Sequence, residues 1–162
     1  MIIFGIDPGL TATGYGIITV NGNRIAPLSW GVIRSGGGEL PDRLAHIYNE
    51  LRRVLDEHKP DIVAVEDIFI GKSPSSALKM GHARGVALLA AANGGYPVRE
   101  YPTAVIKQSV VGGGRAAKQQ VGFMVRRLLA LGEAKLAEDA ADALAAALCC
   151  MIKGDFPTMV NG

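Results

Sequence analysis

Residues 2–9 read IIFGIDPG and residues 61–66 read DIVAVE. Each is a short apolar run that stops at a carboxylate. Runs of this length, rich in Ile and Val and bounded by Pro or Gly, predict buried strands rather than helices. Pro8-Gly9 turns the chain directly after Asp7. Strands buried on both faces belong to a sheet covered by helices, so these two runs set the fold class.

The pattern extends outward from them. Residues 14–20 (GYGIITV) form a second β-type run, and Asn21-Gly22 behind it is a hairpin signal. Ile25 to Arg34 then fits a third, antiparallel strand. Leu44, Ile47, Tyr48, Leu51, Val54 and Leu55 follow helical spacing, and Pro60 closes that helix. Ser76 to Asn93 is rich in small residues and predicts a helix stopped by Asn93-Gly94-Gly95. Tyr96 to Glu100 predicts a fifth strand. A short helix near Thr103 to Ser109, a loop at Gly112-Gly113-Gly114, a helix presenting Val121, Met124, Val125 and Leu128, and a last helix from about Ala137 to Ile152 complete the order. This is an α/β fold: one mixed five-stranded sheet with helices on both faces, in a single domain.

A length of 162 residues suits one core. With 49% hydrophobic and 20% charged residues, the chain is no disordered segment. The 21 glycines follow no triplet period, which excludes collagen and suggests tight turns and close backbone approaches. Two adjacent cysteines, Cys149 and Cys150, offer no disulfide framework, so a reducing compartment is expected. MIIFGID has no basic segment ahead of its apolar residues and does not read as a secretory signal. The longest strongly apolar uncharged run, Ala143 to Ile152, has ten residues, whereas a membrane span needs about 20. A cytoplasmic protein without a membrane partner is expected.

The net charge is only +2, but its layout is uneven. Between Gly71 and Arg127 nine basic residues face a single acid, Glu100. A basic stretch beside acid-bearing flanks suits an enzyme acting on a polyanion.

Four acids stand where acids are not expected. Asp7 ends IIFGI, Glu66 ends IVAV, and Asp139 and Asp142 lie in the apolar EDAADALAAALCCMI. An ionised carboxylate near a core must be paired, protonated or bound to a cation. The i, i+3 spacing puts Asp139 and Asp142 on one helical face. Sites in open α/β sheets form beyond the carboxyl ends of parallel strands, where Asp7 and Glu66 stand if their strands are neighbours. Oxygen donors without a Cys/His cluster point to Mg²⁺ or Mn²⁺. Several carboxylates at one place suit two ions, the arrangement that clamps both oxygens of a phosphoryl displacement. Each acid also has a plainer reading. Asp7-Pro8-Gly9 makes a β-turn, Glu66 can pair with Lys72 or Lys107, and Asp139 suits a helix N-terminus. Their joint placement favours the metal reading.

Lys107 and Lys118 flank the triple-glycine loop, with Arg115 directly after it, and suit phosphate contacts. Arg126 and Arg127 read equally well as a solvated helix face. Phe69, in the polar stretch DIFIGKSPSS, can stack on an unpaired base or pack beneath its loop.

GIDPG at residues 5–9, TGYG at 13–16, VED-IF at 65–69, SALKMGHARGVAL at 76–88, IKQSVVGGGRAAKQQV at 106–121 and DAADALAAAL at 139–148 together resemble the RuvC family of crossover junction endodeoxyribonucleases, the bacterial Holliday junction resolvases. The resemblance implies a ribonuclease H-like nuclease domain over residues 1–155 with a short tail at 156–162. It implies a homodimer that cuts four-way DNA junctions with two Mg²⁺ per site (Mn²⁺ as a substitute), leaving 5′-phosphate and 3′-hydroxyl ends. Asp7, Glu66, Asp139 and Asp142 become the catalytic metal ligands. Phe69, Lys107, Arg115 and Lys118 become DNA contacts, and Ser76 to Ala92, with Gly81 and Gly85, the dimer helix. A branch-migration helicase complex is the implied protein partner. Asp67 departs from the family pattern and either points away from the metal site or modifies it. Arg115 is a second departure. Another ribonuclease H-like nuclease, a nucleotide-binding switch opening with Asp-x-Gly, and an inactive DNA-binding module are the alternatives. A nucleotide switch needs two lobes, and the complete acid set disfavours an inactive module.

Overall fold

The computed structural model describes residues 1–67, 73–113 and 116–156. Five strands, β1 (Ile2–Asp7), β2 (Ala12–Asn21), β3 (Arg24–Arg34), β4 (Ile62–Asp67) and β5 (Val98–Pro102), form one sheet in the order β3-β2-β1-β4-β5. The first three pair antiparallel, as a meander; β1, β4 and β5 pair parallel. Gly22 makes the β2–β3 turn with φ of 57°, a left-handed conformation that favours glycine. On the edge strand β3 the register shifts near Pro27, a residue tolerated only at such edges and bulges.

Among the described residues five helices cover the sheet: α1 (Leu40–His58), α2 (Pro74–Asn93), α3 (Thr103–Val111), α4 (Lys118–Leu128) and α5 (Glu138–Lys153). The helical stripe read from the sequence is the buried one on α1, through Ile47, Leu51, Val54 and Leu55. It packs with α2 against Phe4, Ile6, Val63 and Val65. The opposite face, with Ile3, Ile62 and Ala64, meets α3, α4 and α5. The side-chain period of two therefore sorts each strand between two cores.

α5 is buried from Ala143 through Cys150, both cysteines included and free. It lies unusually close to the sheet. A Cβ on Gly5 would fall 1.9 Å from the Ala143 carbonyl oxygen, and one on Gly14 would fall 1.9 Å from that of Asp139. Glycine on the strands and alanine on the helix make this approach possible.

Most elements differ from the read bounds by a residue or two, and two differences have a clear cause. β5 begins at Val98 rather than Tyr96, because the Tyr96 amide still bonds the Ala91 carbonyl in the turn closing α2, and its hydroxyl donates to the Leu55 carbonyl. On α4, Leu128 is 39% exposed; Leu129, just beyond the helix, is the leucine that enters the core. Among the described residues no helix is long and apolar enough to cross a membrane.

Candidate active site

The parallel register pairs Ile6 with Val65, so the next step sets Asp7 beside Glu66. Parity then decides where each side chain points. Asp7 shares a face with Ile3 and Gly5, and Glu66 with Ile62 and Ala64, which is the α5 side. Gly14 is Asp7's partner across β2, and the Asp139 backbone rests on Gly14. The close seat of α5 thus carries its first turn to the end of β1. The i, i+3 spacing brings Asp142 to the same side as Asp139.

Asp7, Glu66, Asp139 and Asp142 accordingly line one cleft of about 580 Å³, together with Thr103, Lys107 and Lys118. Burial, then the charges of Glu66, Asp142 and Asp139, push the Asp7 carboxyl up to about 8. Burial also raises Glu66, against hydrogen bonds from Thr103 and Asp7 that favour its ionised form. The Thr103 hydroxyl donates to Glu66 Oε1 at 2.5 Å. Asp142, with a side chain only 18% exposed, is raised by burial despite its ion pair with Lys118. Lys118 Nζ stands 2.7 Å from Glu138 and 3.3 Å from Asp142. The bond to Glu138 does most to hold the ammonium charged.

Among the described residues no three His, Cys, Asp or Glu side chains stand close enough to enclose an ion without moving. Asp7 and Glu66 share a hydrogen bond, while Asp142 leans toward Lys118. The backbone seats, fixed by strand register and by α5, are what the four acids share. The donor set fits a hard divalent cation: it is all carboxylate oxygen. Burial contributes most to the rise of Asp7, and the charges of Glu66, Asp142 and Asp139 add to it, as expected where negative charge is in excess.

Asp67 faces the other way. Arg84 of α2 holds it at 3.1 Å through Nε and also pairs with Glu100 of β5. Of the four expected DNA contacts, Lys107 and Lys118 line the cleft; Phe69 and Arg115 lie outside the described residues, as does Lys72. The sequence reading missed Thr103, whose hydroxyl reaches Glu66 through tertiary packing that no local pattern announces. It also left unassigned Gly5 and Gly14, although their place opposite an alanine-rich helix was a readable signal.

The family model described as crossover junction endodeoxyribonuclease RuvC matches residues 3–150. The chain belongs to the RuvC family. A RuvC from Geobacter sp. strain M21 is 49% identical over 163 residues, spanning 100% of this chain and 99% of the relative. One from Alkalilimnicola ehrlichii is 49% identical over 153 residues, covering 94% and 92%. The solved RuvC of Thermus thermophilus is 36% identical and covers 96% of both chains, with a TM-score of 0.86. The same RuvC in complex with Holliday junction substrate gives 0.88 at 36% identity, covering 95% and 94%. The yeast mitochondrial resolvase Ydc2, at 14% identity and a TM-score of 0.66, shares the fold. RuvC membership makes this chain a metal-dependent endodeoxyribonuclease on a ribonuclease H-like scaffold.

Proposed function

We propose that this protein resolves four-way DNA junctions in recombination and repair, by paired symmetric nicks that leave 5′-phosphate and 3′-hydroxyl ends. The observation carrying this is the cleft itself, where carboxylates from three separate elements meet beside two lysines. Similarity to a RuvC solved on a Holliday junction supports the choice of substrate.

Asp7, Glu66, Asp139 and Asp142 would hold the metal, two Mg²⁺ ions in this reading, with Mn²⁺ as a substitute. Bound there, Mg²⁺ supplies Lewis acidity, generating a nucleophile from water near neutral pH and stabilising the leaving oxygen. Asp7, which holds its proton in the cleft without metal, would serve as an ionised ligand where a divalent ion is bound. Lys107, on the cleft wall, attracts the scissile phosphate. Lys118 keeps its positive charge through Glu138 and stands at the rim with a 62% exposed side chain, placed to meet a DNA backbone. Phe69 as a stacking residue and Arg115 as a phosphate contact rest on the family resemblance.

Two cuts of like polarity need two sites related by a two-fold axis, hence a homodimer. The outward stripe of α2 supports that reading: Leu78 is 63% and Leu89 53% exposed, with open space over Gly85 between them. The nuclease domain would span residues 1–155, with 156–162 as a tail. A cytoplasmic setting and delivery of the junction by a branch-migration helicase complex complete the proposal.

The test is cleavage of a synthetic four-way junction with mapped cut sites. Paired symmetric nicks with Mg²⁺ and none without it are expected. Equal cutting of linear duplex or an RNA hybrid would redirect the reading to a general ribonuclease H-like nuclease.

A further inference from the structure

Glu66 has three side-chain torsions to fix and two oxygens to aim, and the charge of Asp142 in the cleft repels it. Among the described residues no Lys or Arg pairs with it. Two groups hold it: the Thr103 hydroxyl, 2.5 Å from Oε1, and, more weakly, a hydrogen bond from Asp7. The topology makes this contact. Glu66 is paired across the sheet with Tyr101, and Asp67 with Pro102. Thr103 comes next, as the first residue of α3, where the chain leaves the sheet beside the cleft it lines. A threonine at a helix start most often caps the helix. Here Pro102 holds the capping position, and α3 has no side-chain cap. The hydroxyl proton is therefore committed to the carboxylate.

We propose that Thr103 is a positioning residue for Glu66. By occupying Oε1 it locks the carboxylate's orientation and leaves Oε2 as the oxygen offered to a divalent ion, so Glu66 binds through one oxygen. This rests on reading the cleft as a metal site. Hydrogen-bond partners behind a metal ligand commonly govern affinity by about 10–100-fold, and a hydroxyl to an ionised carboxylate is among the stronger such contacts.

The experiment titrates Mn²⁺ into the full chain without DNA, by calorimetry, for the wild type, Thr103→Val and Thr103→Ser. Valine keeps the branched shape and removes the donor; serine keeps the donor and removes the methyl. Thr103→Val should weaken Mn²⁺ binding by about tenfold or more, and Thr103→Ser should restore it to within about twofold. In junction cleavage, Thr103→Val should raise the Mg²⁺ needed for half-maximal rate and recover toward the wild-type rate as Mg²⁺ increases. Unfolding temperature without metal should hardly change, which separates positioning from support of the fold. Wild-type affinity in Thr103→Val, or serine as weak as valine, would overturn the proposal alone. A wild type that binds no Mn²⁺ would overturn the metal-site reading and this proposal together.

Discussion

Glu66 and Asp67 are adjacent on β4, yet the sheet sends them to opposite fates. On the α1/α2 side Asp67 meets Arg84, which also holds Glu100, and charge is matched with charge. On the α5 side Glu66 joins three other acids, with a hydroxyl for support and burial raising its proton affinity. A satisfied acid at the edge of a core is architecture. An acid kept beside like charges is costly unless a cation completes it. Parity alone therefore sends one acid of this strand to an ion pair and the other to the carboxylate cleft.

The strongest way to break this contrast is at its centre. Asp7→Asn should keep the fold and junction binding while cleavage falls by about 10²–10⁴-fold, the usual range for an essential ionisable group. A gel-shift assay and a cleavage time course on one junction measure both. Undiminished cleavage would remove Asp7 from the chemistry.

Next is the seat of α5. Gly5→Ala places a methyl 1.9 Å from the Ala143 carbonyl oxygen, so the helix must lift. A loss of about 1–3 kcal/mol in denaturant unfolding is expected, together with slower cleavage as Asp139 and Asp142 move away. Wild-type stability and rate would show that close helix packing does not set the site.

Proton binding sharpens the contrast further. The folded Asp7 holds its proton up to about 8, against 3.8 for the ordinary group. Through that window the folded state binds more protons than the unfolded one, so stability falls as pH rises from about 4 to 8. Without divalent ions, the unfolding temperature should drop between pH 5 and 8.5. Asp7→Asn should flatten the slope and be the more stable protein at the alkaline end. A flat wild-type profile would contradict the electrostatic account.

The smallest effect belongs to the satisfied acid. Asp67→Asn weakens a partly exposed ion pair, worth about 1 kcal/mol or less, and cleavage should change little beside the large loss expected for Glu66→Gln. Comparable losses in the two variants would erase the distinction between the faces.

Much of this was legible before any coordinates. IIFGID and DIVAVE carry their strand character and terminal acids in plain order, and the helical stripe of α1 is the one that is buried. Period-two parity even contained the fate of Asp67, although choosing between its alternatives needed the position of Arg84. Thr103 was not legible: its role depends on where α3 starts relative to β4, a tertiary relation 37 residues long in sequence. Nor could the sequence show that Lys118, a candidate DNA contact, would also bridge Glu138 and Asp142.

The central claim is that residues 7, 66, 139 and 142 form one divalent-ion site. Anomalous scattering from crystals grown with Mn²⁺ tests it directly. The account predicts manganese peaks in the cleft within about 2.0–2.3 Å of Asp7 and Glu66 carboxylate oxygens, near the distances usual for small divalent ions on oxygen. Fully bound manganese elsewhere on the protein, with the cleft empty, would contradict it.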